Sequence, residues 1–301
     1  MDPKDLIYPL FVVEGTNIKE PIATMPDIYR YSLDRIDEEL ECVQAAGISG
    51  ILLFGVPAHK DAVGSSAYDP HGILAQAITH IQSKLPHQLV IADVCLCEYT
   101  DHGHCCLVHE HAILNDETLP LLAKMAVCCV QAGADNDMMD GDITAIRQAL
   151  DAHGLSQTPI MGYSAKYASG YYSPFRDAAG SAPCFGDRRS YQMDPRNGKE
   201  GVREVENDID MGADIVMVKP ALAYLDVVKA VSEHCSLPLA VYNVSGEYAM
   251  VKAAAKAGMI DEKRIIFENL IAMKRAGAQI IITYHALEMA HWLETGEVYA
   301  F

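Results

Sequence analysis

Apolar residues in this chain fall into short continuous runs rather than strict alternation. The runs at residues 6–13, 51–54, 89–94, 159–164, 215–218, 239–244 and 280–284 read as strands. Unbroken apolar runs suit a parallel sheet covered on both faces. Amphipathic stretches lie between them, at 33–46, 119–132, 143–152 and 248–257. A repeated phrase joins helix to strand: Ala46-Gly47, Met211-Gly212-Ala213 and Ala276-Gly277-Ala278 each precede an apolar run. Glycine suits the left-handed turn just past a helix.

With Gln131-Ala132-Gly133-Ala134-Asp135 as a further helix-to-strand turn, the slots number eight. That is the count a closed parallel (β/α)8 TIM barrel needs, and a doubly wound open sheet is the alternative. No linker divides the chain, so residues 1–301 are expected to form a single domain. One slot is weak. The segment Asn136-Asp137-Met138-Met139-Asp140-Gly141 has no apolar β run. A barrel cannot omit a strand without leaving two edges unpaired. The fourth strand region is therefore expected to be unusually short, or else 126–131 supplies the wall.

Charge narrows the function classes. A net charge of −18 argues against nucleic acid and anionic membranes as partners. None of the apolar runs approaches the roughly 18–20 residues of a spanning helix. The start, Met1-Asp2-Pro3-Lys4-Asp5, lacks the pattern of a signal peptide. The expectation is cytoplasmic. Nine cysteines in such a chain suggest thiols or metal ligands rather than a disulfide framework. Cys42, Cys128, Cys129 and Cys235 read as core residues, and Cys106 and Cys184 as spectators or extra thiols near a site.

Lys166 and Lys219 each close an apolar run that reads as a buried strand. Burial opposes a lysine's charge, and a neutral amine that attacks a carbonyl to form a Schiff base is one good reason to place it there. Two such lysines suggest chemistry on two carbonyl groups, or one reactive lysine beside a cationic neighbour. The segment from Asp93 through Cys95, Cys97 and Cys105 to Cys106 follows another strand. Active sites of β/α barrels sit at such strand ends. Three thiolates with an open fourth position suit Zn²⁺ as a Lewis acid, while simple packing of buried cysteines is the alternative. After Lys166 comes a long stretch that carries Tyr172, Arg176, Arg188 and Gln192, a natural lid. Its arginines can grip a carboxylate or form ordinary surface ion pairs. The acidic run at 204–210 reads as a solvated helix face.

Together these segments resemble the porphobilinogen synthase (5-aminolevulinate dehydratase) family. The resemblance spans Asp5-Leu6-Ile7-Tyr8-Pro9 to Ile282-Thr283-Tyr284 and includes Tyr163-Ser164-Ala165-Lys166, Met217-Val218-Lys219-Pro220 and Val244-Ser245-Gly246-Glu247-Tyr248. It implies a β/α barrel that condenses two 5-aminolevulinate molecules into porphobilinogen, with loss of two waters, in tetrapyrrole and haem biosynthesis. Lys219 matches the lysine that forms a Schiff base with the first-bound substrate, and Lys166 the second lysine. Cys95, Cys97 and Cys105 match the ligands of a catalytic zinc. Arg176, Arg188 and Gln192 match one carboxylate grip, and Ser245 and Tyr284 the other. Asp93 and Tyr172 match further pocket residues, and Glu204 a glutamate that holds magnesium through water in some members.

The chain departs from the family pattern at particular places. Asn136 stands in for an apolar stretch and a pocket serine. Asp142, Gly162, Cys106, Ser173 and Asn243 replace more usual residues. The family's N-terminal arm is absent or nearly so, which leaves a homo-oligomer expected but the octamer in doubt. An impaired relative that binds zinc or ligand, or serves as an oligomer partner, is the alternative reading. Another Schiff-base lyase or aldolase is disfavoured by the thiol segment and the second lysine.

Overall fold

The computed structural model describes residues 1–110, 112–134, 136–139 and 143–297. Eight of its strands form a closed parallel ring. In chain order they are β1 (Leu6–Val13), β2 (Gly50–Val56), β3 (Leu89–Val94), β4 (Asn136–Met139), β5 (Ile160–Lys166), β6 (Ile215–Lys219), β7 (Leu239–Asn243) and β8 (Ile280–Thr283). Each pairs in parallel with the next, and β8 returns to β1 through Leu6 opposite Ile281 and Ile7 opposite Ile282. The closed barrel expected from the sequence is therefore present, and the open sheet is not.

The weak fourth slot is resolved as a strand. β4 pairs with β3 from Asn136 opposite Ile91 to Val94 opposite Met139, and with β5 from Asp137 opposite Ile160 to Met139 opposite Gly162. Four residues suffice because a strand's ladder is set by backbone groups, not by apolar side chains. Residues 126–131 do not supply the wall; they belong to helix α3. Asp140 and Asp142, singled out in the sequence, lie outside the described residues.

Helices cover the ring: α1 (Asp37–Ala45), α2 (Ile73–Lys84), α3 (Asn115–Ala132), α4 (Ile143–Ala152), a short α5 (Ser173–Ala178), α6 (Gly198–Asp210), α7 (Leu225–His234), α8 (Ser245–Lys256), α9 (Glu262–Ala276) and α10 (Ala286–Thr295). The expected left-handed turns are real. Gly212 and Gly277 leave α6 and α9 with φ of 102° and 124°, where a side chain is disfavoured. The strands bury residues on both faces. Val216, Val218 and Val241 face the helices, whereas Met217, Ala240 and Tyr242 fill the barrel. This double burial is why their sequence reads as continuous apolar runs.

Two excursions frame the C-terminal end of the barrel. A hairpin of Lys19–Pro21 and Tyr29–Tyr31 follows β1 and buries Ile22, Met25 and Ile28 against the barrel-filling cluster. The stretch after β5 begins with a turn at Gly170–Tyr172 and α5. The cysteines separate by environment: Cys129 is buried and Cys128 and Cys235 are half-buried. Cys42, expected in the core, is exposed, because α1 turns that side toward solvent.

Candidate active site

The two lysines become neighbours through a β-bulge. Residues alternate between the two faces of a strand, so Tyr163 and Lys166, three apart, would point in opposite directions. The pairing of β5 with β6 shifts between Gly162–Val216 and Ala165–Val218, three residues on one strand against two on the other. That extra residue, at Tyr163-Ser164, restores Lys166 to the barrel side and sets it opposite Lys219. Lys219 lies at the end of β6, buried among rings, with Nζ 4.3 Å from the Tyr242 ring centre, 4.5 Å from Tyr163, 5.6 Å from Tyr172 and 5.7 Å from Phe175. Lys166 Nζ lies 4.9 Å from the Tyr163 ring centre.

Both lysines line one cleft with Asp93, Cys95, Cys97, Glu98, Tyr163, Tyr172, Phe175, Arg188 and Gln192. Asp93 ends β3 and accepts a 2.8 Å hydrogen bond from the Tyr163 hydroxyl. Burial raises its pKa to about 6, even though Lys219, the Tyr163 bond and Lys166 pull the other way. Tyr172 donates to the carbonyls of Tyr167, at 2.8 Å, and Lys219, at 3.2 Å, tying the lid to the end of β6.

The loop after β3 gathers Cys95, Cys97 and Cys105, all buried, with their sulfurs within 4.8 Å of one another. The Cys95 and Cys97 sulfurs are 3.3 Å apart. Sulfurs about 3.8 Å apart are what a tetrahedral ion with 2.3 Å bonds requires, so small adjustments suffice and the donor set suits a metal ion. Side-chain bonds from Cys95 and then Cys97 hold the Cys105 thiol well below its ordinary pKa, as for one thiolate solvated by two thiols.

The lid brings donors to the same cleft. Arg188 donates through Nη2 to the carbonyls of Gly103, at 2.9 Å, and Ser181, at 2.8 Å. Its Nε is buried with no partner, as are Nε of Arg176 and both amide atoms of Gln192. Unsatisfied buried donors are costly, and three converging residues of this kind form a ready anion grip. Arg176 opens onto the adjoining basic cavity that Arg188 and Gln192 also line.

Ser245 and Tyr284 are not among the residues lining the lysine cleft. Ser245 starts α8; its Oγ accepts from Phe175 N at 3.0 Å and lies 3.3 Å from the Tyr171 carbonyl, so it docks the lid. Tyr284 follows β8 and shares a 3.1 Å hydroxyl contact with Tyr242. Glu204 lies apart from the cleft, on α6. It accepts from Arg203 Nη2 at 3.2 Å and Asn207 Nδ2 at 3.3 Å.

Other residues in the site did not stand out in the sequence. Glu98 is buried with both carboxylate oxygens unpartnered. Burial, followed by the charges of Asp93 and Cys105, pushes it up to about 8. Its one signal was its place directly after Cys97. Lys60, from the loop after β2, donates to the Gly180 carbonyl at 2.7 Å and the Ala179 carbonyl at 3.3 Å, and so anchors the lid. Nothing local in the sequence marks it.

A β/α barrel with paired lysines at adjacent strand ends and a thiol cluster beside them defines a class: a barrel enzyme equipped for carbonyl condensation. Comparison with known proteins makes this specific. Residues 1–292 match the family model for delta-aminolevulinic acid dehydratase, and the chain belongs to that family. It is 53% identical over 293 residues to the delta-aminolevulinic acid dehydratase of Halalkalibacterium halodurans, covering 96% of this chain and 89% of that protein. It is 53% identical over 298 residues to that of Archaeoglobus fulgidus, covering 98% and 92%. The crystal structure of delta-aminolevulinic acid dehydratase (porphobilinogen synthase) from Toxoplasma gondii, in complex with the reaction product porphobilinogen, superposes with a TM-score of 0.96. That pair is 42% identical, over 100% of this chain and 88% of the other. Among the described residues no helix is long and apolar enough to cross a membrane.

Proposed function

We infer that this protein is a hydro-lyase that condenses two molecules of 5-aminolevulinate into porphobilinogen and releases two waters, a step of tetrapyrrole and haem biosynthesis. The observation that carries the reading is the cross-strand pair Lys166 and Lys219 inside the barrel mouth, in a chain of this family. The whole chain acts as one catalytic domain.

Lys219 is the residue we assign to the first Schiff base. Its amine adds to the ketone, a C–N bond forms, and the carbonyl oxygen leaves as water. The resulting iminium acidifies the neighbouring carbon for attack on the second substrate. Lys166 activates the second ketone in the same way, which accounts for the second water. Both amines are then released: one is displaced as a substrate amino group bonds to the carbon that carried it and closes the ring, and the other leaves by elimination with loss of a carbon-bound proton as a ring double bond forms.

Arg176, Arg188 and Gln192 are assigned one substrate carboxylate, a role their unpartnered buried donors support. Ser245 and Tyr284 are assigned the other, with Ser245 turning from the lid backbone to the substrate. Fixing both carboxylates converts an encounter of two similar molecules into an oriented pair, which supplies much of the rate through lost entropy. Tyr172 holds the lid against β6, and Asp93 orients Tyr163.

Cys95, Cys97 and Cys105 would hold zinc, which when bound supplies Lewis-acid polarisation beside the second substrate. A soft thiolate set favours zinc over magnesium. Glu204 is engaged by Arg203 and Asn207, which favours a solvated helix face over a magnesium role.

The test is incubation with 5-aminolevulinate, with porphobilinogen as readout. Borohydride trapping and peptide mapping then locate the substrate adduct. Adducts on neither lysine in a turning-over sample would refute the Schiff-base assignment.

A further inference from the structure

The bulge in β5 does more than align two lysines. It presents Tyr163 between them. The one aromatic ring lies 4.5 Å from Lys219 Nζ and 4.9 Å from Lys166 Nζ, measured to its centre. Its hydroxyl is fixed by the 2.8 Å bond to Asp93, at the end of a different strand. Tyr163 is itself 6% exposed and packs with Met161, Tyr172 and Tyr242 in the barrel-filling cluster. The ring therefore has no freedom to leave the lysines.

The negative face of an aromatic ring attracts a cation, and more strongly where water is excluded. An iminium on a ketone carbon can lose a proton to the neutral imine or enamine, but the cationic form is the strong electrophile, so the reactive state is the one that needs stabilising in a buried site. A buried iminium thus needs a fixed partner that does not itself react with the electrophile. The Asp93 carboxylate adds longer-range attraction from the same cleft, and its Oδ1 also holds the Tyr163 hydroxyl and so fixes the ring.

Resting on the reaction proposed above, we propose that Tyr163 is a catalytic residue of both half-reactions, its Asp93-pinned ring stabilising the cationic nitrogen at whichever lysine carries the iminium. One ring shared by two lysines also couples them. A change at Tyr163 affects adduct formation at both positions, whereas the rings of Tyr242, Tyr172 and Phe175 lie 4.3, 5.6 and 5.7 Å from Lys219 Nζ.

The experiment replaces Tyr163 by phenylalanine and by mono-, di- and trifluorophenylalanine in the full chain. Shape is kept while the ring's negative face is weakened stepwise. Tyr163→Leu is added as the ringless extreme, with thermal melting and metal content as checks on folding. The logarithm of kcat and the borohydride-trapped adduct at Lys166 and Lys219 should fall stepwise with fluorination. The trifluoro variant should lie about tenfold below Tyr163→Phe, the order expected of a desolvated cation–π contact. A flat fluorination series overturns the proposal even if Tyr163→Leu fails to fold. So does a loss confined to one lysine. Lys219→Ala is run alongside. If wild type makes no porphobilinogen, or Lys219→Ala still makes it, the reaction reading has failed. If both behave as expected and the series is flat, only the role of Tyr163 has failed.

Discussion

Lys166 and Lys219 stand opposite each other on β5 and β6 only because β5 carries one residue more than β6 between the Gly162–Val216 and Ala165–Val218 pairings. Without that bulge Lys166 would face the helices, and the barrel would hold one lysine. The site is thus built by a local irregularity in an otherwise regular wall, a known use of bulges beside active sites.

Lys219→Ala should lower porphobilinogen formation by about 1,000-fold or more, the scale expected when a covalent nucleophile is removed. Substrate adduct at position 219 should vanish, while the melting temperature stays near that of wild type. Turnover within tenfold of wild type would exclude Lys219 as the first Schiff-base residue.

The thiol cluster makes a separate prediction. Cys97→Ser should weaken zinc binding by about 100-fold or more, because one of three soft ligands becomes a poor one. Cobalt substitution offers a readout other than activity. The wild-type protein should show strong sulfur-to-metal charge transfer, reduced in Cys97→Ser. Equal zinc affinity in the two proteins would move the metal elsewhere.

Gly246, in the second position of α8, packs directly against lid backbone. A methyl group there would sit 2.5 Å from the Tyr171 carbonyl oxygen and 2.7 Å from its Cα. Gly246→Ala should displace the lid and Ser245, raise KM for 5-aminolevulinate by about tenfold, and cost about 1–3 kcal/mol of stability as overpacking does. Unchanged steady-state kinetics would show that the lid tolerates the shift.

Arg188→Lys should be far from conservative. Arg188 bridges the Gly103 and Ser181 carbonyls with Nη2 while Nε stays available, and an ammonium cannot do both. KM should rise by about 10- to 100-fold with a smaller change in kcat. A lysine variant with wild-type KM would remove Arg188 from the carboxylate grip.

Glu247 links the ends of two strands, β6 and β7. It accepts from Leu222 N at 2.7 Å, Val244 N at 2.9 Å and Asn243 Nδ2 at 3.0 Å. Burial nevertheless raises its pKa to about 7, the hydrogen bonds offsetting only part of that cost. The folded state thus binds this proton more tightly than the unfolded state, whose value is about 4.3. The contribution to stability is fully present below that lower value and is lost as pH rises to about 7, a loss of roughly 3–4 kcal/mol. Urea unfolding of wild type and Glu247→Gln across this window should show their difference changing in that direction. Parallel curves would contradict the assignment.

Much of this was legible in the chain. Continuous apolar runs and the glycine turns at Gly212 and Gly277 marked seven strands, because those signals are local. The fourth strand was hidden, because Asn136-Asp137-Met138-Met139 carries no continuous apolar run, and its backbone ladders with β3 and β5 are contacts between distant segments. Lys166, Lys219 and the three cysteines stood out as residues out of keeping with their surroundings. Glu98, Lys60 and the shared position of Tyr163 did not, since their roles arise from contacts between distant segments. Asn243, a departure from the family pattern, retains a polar function by accepting from Thr283 and donating to Glu247.

The most direct test of the central claim is porphobilinogen production from 5-aminolevulinate by purified protein after chelation, with and without restored zinc. The account predicts turnover that is lost on chelation and recovered with zinc. A folded, zinc-loaded sample that binds 5-aminolevulinate but forms no porphobilinogen would contradict it.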